Sequence, residues 1–323
     1  LAFNRAGVLI DPVFPAISVA SVYLSTSLTS YVRSEVERAQ IRAAFTHYLA
    51  PELVAELANN PQRLKLGGER REVTLLFMDV RGFTAIAESL DAEALVRLIN
   101  RIFTPITDTI LSHRGTIDKY MGDAVMAFWN APLPDGEHAK NACRAALSMR
   151  QQLVELNRAF AVEAEARGEA PEPIRIGIGI NTGSCVVGNV GSPQRFDYSV
   201  IGDPVNVAAR FQNATKIYGA DIIIGEQTAA AARGFAVLEL ATVTPRGKGR
   251  PERIFALLGD DTLNSSAQFS SLAAKHAMLL AAIRDGHHDK AASALCECLE
   301  LNVPGTAEIY RRFTDLLNAD SGK

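Results

Sequence analysis

Apolar positions along the chain change period several times, and each change marks an element. Residues 73–78 (VTLLFM) form an apolar run of strand length that ends in Asp79. A run this short and this apolar reads as a strand buried on both faces. Gly82 then loosens the backbone, so Asp79 stands at a strand end beside a turn. Asp91 suits the N-cap of a long helix. In it Leu95, Leu98, Ile99, Ile102, Ile106 and Ile110 recur at helical spacing, with Pro105 expected to interrupt it and Gly115 to end it. Residues 115–129 split into two strand-like pieces around Met121-Gly122-Asp123, placing a second carboxylate at a tight turn. Residues 137–166 return to a helical period, with Ala142, Ala146, Met149 and Leu153 on one face. Residues 174–182 and 185–190 read as two strands rich in glycine, and 198–201 as another. Asp203 as N-cap and Pro204 at the first position open the next helix. Strands at 221–224, 235–240 and 252–258, with a helix at 226–233, complete this region. Helical repeats come next at 272–283, 290–301 and 307–317, separated by Gly286 and Pro304-Gly305. They are too few for a repeat array and read as a packing appendage or a partner surface.

The N-terminal pattern is different. Residues 13–31 carry no charge and approach the ~20 apolar residues that cross a bilayer. Pro15 and a cluster of Ser and Thr weaken the span, and a buried amphipathic helix is the alternative. Arg33, Arg38 and Arg42 come after it, against Arg5 before it, which puts the C-terminal side in the cytoplasm. Residues 33–59 read as helical, with Pro51 starting a short second helix at 52–58. This stretch serves either as a two-stranded coiled-coil connector or as a simple amphipathic linker. Asn60-Pro61 and Gly67-Gly68 mark the boundary with the strand-rich region.

Composition adds limits. The chain has 323 residues, 48% of them apolar, enough for a sizeable core, and a net charge of -3 without a long basic run, so nucleic acid is not the expected partner. Cys143, Cys185, Cys296 and Cys298 lack zinc-ligand spacing and read as reduced cytosolic thiols. His287-His288 reads as exposed loop. The chain shows no initiator Met and no signal peptide, and is expected to be the C-terminal part of a longer protein.

Four stretches carry candidate chemistry. Two strand-end aspartates, Asp79 and Asp123, brought together can hold two divalent ions, the arrangement used for in-line displacement at phosphorus. Asn206 and Arg210, four apart, leave the same helix face near a helix N-terminus, where unpaired amides attract anions. A neutral donor and a guanidinium one turn apart can make a phosphate clamp; a surface Arg and a capping Asn are the other reading. Residues 246–250 (RGKGR) form a basic, glycine-flanked tip that can drape Lys248 over a triphosphate; a solvated turn is the other reading.

Over residues 66–258 these motifs, in this order, resemble the class III nucleotidyl cyclases, in particular bacterial adenylate cyclases with a membrane-anchored sensor half. The resemblance implies an α+β, ferredoxin-like domain similar to the polymerase palm, in a chain organised as 1–32 (last transmembrane helix, its extracytoplasmic sensor missing here), 33–65 (helical linker), 66–258 (catalytic domain) and 259–323 (C-terminal helical extension). It implies cyclisation of ATP to cyclic AMP, with two Mg2+ or Mn2+ ions on Asp79, Asp123 and the Val80 carbonyl. By resemblance Asn206 positions the ribose, Arg210 stabilises charge on the α-phosphate, and Lys248, with Arg246, holds the outer phosphates. Lys119 matches the family's adenine-reading Lys. Its usual partner, Asp or Thr, is Ser199 here, a departure that keeps a usable polar group. Guanylate cyclases usually carry Glu and Cys at these two places. The family divides each site between two subunits, so the resemblance implies a head-to-tail homodimer, held at the cell membrane through the N-terminal helix with the catalytic domain in the cytoplasm. The stretch 179–191 resembles the family's glycine-rich hairpin at the dimer interface. A guanylate cyclase, a catalytically silent nucleotide-binding module and a bare scaffold are the alternatives.

Overall fold

The protein is described by a computed structural model covering residues 13–45, 54, 58, 68–168, 170–192, 195–243 and 251–320. The chain divides into an N-terminal unit and a larger one that runs from Lys65 onward. The first is dominated by helix α1 (Val13–Phe45). Its stretch Val13–Val36 is long and apolar enough to cross a membrane, and its side chains are exposed. The apolar residues lie all round the helix instead of on one stripe, unlike an amphipathic core helix. Hydroxyls inside the stretch bond to the helix's own backbone: Ser18, Thr26 and Thr29 donate to the carbonyls of Phe14, Val22 and Ser25 at 2.9, 2.8 and 2.7 Å. Of the expected short helix at 52–58 only Val54 and Ala58 are among the described residues, both buried, and most of the linker lies outside them.

The larger unit begins with β1 (Glu69–Val80), α2 (Phe83–Ser89), α3 (Ala92–Ser112), β2 (Thr116–Met121), β3 (Ala124–Trp129), α4 (His138–Arg167) and β4 (Ile176–Ser192). This βαββαβ unit, with antiparallel strand order β2-β3-β1-β4, is the ferredoxin-like arrangement. Next come β5 (Arg195–Ile201), which pairs with the far half of β4, and α5 (Asp203–Tyr218). Strand β6 (Ile222–Gly225) pairs parallel to β4, and α6 (Glu226–Ala231), β7 (Ala236–Val243) and β8 (Glu252–Gly259) complete an α+β domain on one eight-stranded sheet. Helices α7 (Asp261–Asn264), α8 (Ala267–Arg284), α9 (His288–Glu300) and α10 (Ala307–Asp320) end it.

Several boundaries differ from the sequence expectation for physical reasons. The Asp91 carboxylate does cap α3, accepting the Ala94 N–H at 2.7 Å. Pro105 does not interrupt the helix, because Ile102 before it and Ile106 and Ile110 after it are buried together and hold the helix on the sheet. The N-cap of α5 is Gly202, one residue before the Asp203 expected there. The two strands expected at 174–182 and 185–190 are a single strand, β4, because its residues from Ile176 to Val187 pair without a break against β1. The glycine-rich stretch is therefore no hairpin in itself; it lies in β4, whose hairpin partner is β5.

Alternation along β4 sets the layers. Ile176, Ile178 and Ile180 join Leu76, Met78 and Val80 under α3 and α4. The other face presents Gly177 and Gly179, and α5 lies directly on their backbone. A Cβ on Gly179 would collide with the Gln212 amide and the Ala208 carbonyl. Gly179→Val is therefore expected to cost ~2–3 kcal/mol by overpacking an interface that has no room. Thermal unfolding checks this, and a variant melting within about 2 °C of the wild type would contradict it.

Helices α8 to α10 share one apolar core with α5, β7 and β8. The buried His276 ties them to the sheet: its Nε2–H donates to the Glu239 carbonyl at 2.6 Å, and Nδ1 accepts the Tyr310 hydroxyl at 3.2 Å. Burial lowers its pKa, in keeping with a neutral ring.

Candidate active site

Asp79 is the second-last residue of β1, opposite Ala124 of β3 and Gly177 of β4. Asp123 sits in the two-residue turn between β2 and β3. Gly122 precedes it with a φ of +65°, the left-handed backbone that such turns require at their first central position. The register of β3 on β1 thus carries Asp123 to the end of β1, close enough for its carboxyl to act on that of Asp79. Burial, and then the Asp123 carboxyl beside it, raise the Asp79 pKa to about 6. The Lys216 ammonium, 3.8 Å away, and a hydrogen bond from the Val80 backbone act in the opposite direction, and the Gln212 amide lies 3.4 Å from the same carboxyl. Two acids held this close oppose each other's ionisation, and a divalent cation on oxygen ligands relieves that opposition. The donor chemistry fits a hard cation. Among the described residues no group of three or more His, Cys, Asp or Glu forms a metal cluster, so these two carboxylates are the acidic part of the set, with Val80 next to Asp79 in the chain.

Helix α5 offers two faces. Gln212 and Lys216 turn towards Asp79 of the same chain. Asn206 and Arg210 are exposed and leave the helix about 120° round its axis from that face, at 100° per residue. The aspartate pair and the Asn206–Arg210 pair are therefore presented in different directions by one chain.

A third group lies on β2 and β5. Between Ile117 and Lys119 the register of β2 on β3 shifts by a bulge. The bulge breaks strand alternation, so Thr116, Ile117 and Asp118 are all buried in succession and Lys119 is exposed. The Asp118 side chain is fully buried. Its Oδ2 accepts the Ser199 hydroxyl at 2.7 Å, and the Lys119 ammonium lies 3.0 Å from Oδ1 as an ion pair, outside hydrogen-bond geometry. Lys119 and Ser199, far apart in sequence, are thus brought together through a residue between them. Arg246 and Lys248 lie at 244–250, outside the described residues.

Sequence reasoning missed Asp118, Gln212 and Lys216. The last two have i, i+4 spacing on α5, but only the packing of that helix shows which face meets Asp79. For Asp118 no sequence signal exists, since the bulge that buries it is a property of strand pairing.

The family model of the adenylate and guanylate cyclase catalytic domain matches residues 68–258. The chain is 33% identical over 216 residues to Adenylate cyclase 1 of Rhizobium meliloti (strain 1021), covering 67% of this chain and 32% of that protein. It is 37% identical over 224 residues to an uncharacterized protein of Mycobacterium tuberculosis (strain ATCC 25618 / H37Rv), covering 68% of this chain and 36% of that one. The chain thus spans about a third of the length of these relatives. Among solved structures it is similar to the guanylyl cyclase Cya2, with a TM-score of 0.54 and 36% identity over 60% of this chain and 95% of the other. It is also similar to the adenylyl cyclase CyaB from P. aeruginosa, with a TM-score of 0.54 and 32% identity over 60% of this chain and 97% of the other.

Proposed function

The chain belongs to the adenylate and guanylate cyclase catalytic-domain family, and on that premise we propose that it converts ATP to 3′,5′-cyclic AMP and pyrophosphate. The observation that carries this reading is the Asp79–Asp123 pair, two opposed carboxyls at adjoining strand ends. Mg2+ or Mn2+ ions held there, with the Val80 carbonyl, would lower the pKa of the ribose 3′-hydroxyl and balance the charge of the triphosphate. The hydroxyl attacks the α-phosphorus in line and pyrophosphate departs. Asn206 orients the ribose, and the Arg210 guanidinium meets the charge that develops on the α-phosphate. Lys248 and Arg246 hold the outer phosphates. Lys119 donates to the adenine ring and Ser199 contacts its amino group.

The working unit in this reading is a head-to-tail homodimer. One chain presents its aspartates and its Asn206–Arg210 pair in different directions, so a second chain completes each site. Exposed apolar side chains on β2, β4 and β5 (Tyr120, Met121, Val186, Val190 and Ile201) supply a surface for that pairing. The proposed organisation is 1–32 as a membrane helix, 33–65 as linker, 66–258 as catalytic domain and 259–323 as extension. The exposed apolar α1, with its internally bonded hydroxyls, supports the membrane anchor, with the domain on the cytoplasmic side.

The test is a product assay on the full chain in detergent with Mn2+ and either ATP or GTP. Cyclic AMP as the main product is the expected result. Cyclic GMP as the main product would make it a guanylate cyclase, a reading favoured by the likeness to Cya2. No product from a folded dimer would leave a nucleotide-binding module without turnover.

A further inference from the structure

We infer that Asp118 is the residue that fixes the sense of base recognition: it commits the Ser199 hydroxyl proton inward, leaving Ser199 only as an acceptor and Lys119 only as a donor. The inference rests on the proposed reading of Lys119 and Ser199 as the base-contacting pair.

The hydroxyl alone is ambiguous. A serine has one O–H donor and two acceptor lone pairs, so Ser199 by itself is compatible with either purine. Adenine presents an amino donor at N6 beside an acceptor at N1. Guanine presents an acceptor at O6 beside a donor at N1. A hydroxyl free to rotate serves both; of the Asp or Thr expected at this position only an ionised Asp would be restricted to accepting, and Ser199 shares the ambiguity of Thr.

The structure removes the ambiguity. The Asp118 side chain is fully buried, and its Oδ2 takes the Ser199 proton at 2.7 Å. A carboxylate only accepts, so the bond has one possible direction. The lone pairs of Ser199 are then what remains to meet a base. The other oxygen of Asp118 lies 3.0 Å from the Lys119 ammonium as an ion pair outside hydrogen-bond geometry, so the three N–H donors of Lys119 stay available to a ligand. The pair therefore reads donor from Lys119 and acceptor from Ser199. That order complements N1 and N6 of adenine. Against guanine it sets donor against donor and lone pair against lone pair, a repulsive contribution to specificity.

The β2 bulge puts Asp118 in this role. Regular alternation would send neighbours 117 and 118 to opposite faces; the bulge buries both and leaves Lys119 at the surface. Asp118 is thus a positioning residue, acting through the two side chains that contact the base.

Asp118→Asn tests this. The amide can turn its oxygen to the Lys119 ammonium and its N–H to Ser199 Oγ, which frees the hydroxyl proton to point outward. The expected result is a fall of about tenfold or more in the ratio of kcat/KM for ATP to that for GTP, the value of roughly one hydrogen bond. The same fall should appear in the ratio of dissociation constants measured by displacement of a fluorescent ATP analogue, which needs no turnover. A purely structural role would lower the melting temperature and both nucleotides' constants together and leave the ratios unchanged; that result overturns the inference.

Ser199→Ala covers the case in which Asp118→Asn does not fold. With the proton committed inward, losing the hydroxyl weakens ATP about tenfold and leaves GTP unweakened. Equal losses for both nucleotides would mean a hydroxyl free to serve either base, and would overturn the inference. The wild-type measurements separate this from the proposed function. A wild type that binds ATP tighter than GTP but makes no cyclic nucleotide defeats the proposed reaction and leaves the inference to the variants. A wild type that binds GTP as tightly as ATP defeats the inference, whatever its turnover.

Discussion

Asp79→Asn is expected to lower cyclic AMP formation by at least about 10^3-fold, while making the cation-free protein more stable. The loss of activity exceeds the roughly 10^2–10^3 typical of removing one transition-state donor, because in the proposed site Asp79 is a carboxylate shared by both ions. The gain in stability comes from the sign of the pKa shift. Burial and the Asp123 carboxyl raise Asp79 from 3.8 to about 6. An acid raised in the folded state makes the fold less stable as pH rises from its ordinary pKa through the raised one, and the whole cost is present at neutral pH. A neutral isostere avoids that cost, which is on the order of 1–2 kcal/mol once solvent screening is allowed for. Melting curves in EDTA and in excess Mn2+ check both halves. The variant should melt above the wild type in EDTA, and the wild type should gain more from Mn2+, by preferential binding to its folded state. A variant less stable than the wild type in EDTA would show that the two carboxyls are not in opposition.

Mixing two inactive chains is expected to restore activity. In the proposed dimer, Asp123→Ala removes a cation ligand from one half-site and Arg210→Ala removes the phosphate contact from the other. A dimer with one chain of each kind has one site carrying both defects and one carrying neither. Random pairing of equal amounts makes half the dimers mixed, so about a quarter of wild-type activity returns. The physical ground lies in α5, where Gln212 and Lys216 meet Asp79 of the same chain while Arg210 leaves the helix about 140° from the midpoint of those two. Mixtures no more active than the separate variants would mean that each chain builds its site alone. The mixture must be allowed to exchange subunits, and co-expression of the two chains guarantees this.

Much of the domain was legible because its elements announce themselves locally. The apolar run before Asp79, the helical repeat after Asp91 and the turn at Gly122 are each decided by neighbours within a few residues. The motif order then pointed to a family that the match over residues 68–258 supports. Local reasoning failed where distant contacts outweighed it. Pro105 sits inside a helix because buried isoleucines on either side hold that helix to the sheet. A glycine-rich stretch stays one strand because it has β1 to pair with along most of its length.

The sequence by itself determined most of the elements, the carboxylates at a strand end and a strand turn, and Asn206 and Arg210 on one helix face, because each depends only on residue type and short-range periodicity. Tertiary structure alone decided that Asp79 and Asp123 lie side by side, that Gln212 and Lys216 are the part of α5 that faces Asp79, and that a bulge buries Asp118 between Lys119 and Ser199. These depend on strand register and on how a helix is rotated against a sheet. Both are set by packing between segments far apart in the chain, and no local pattern encodes them.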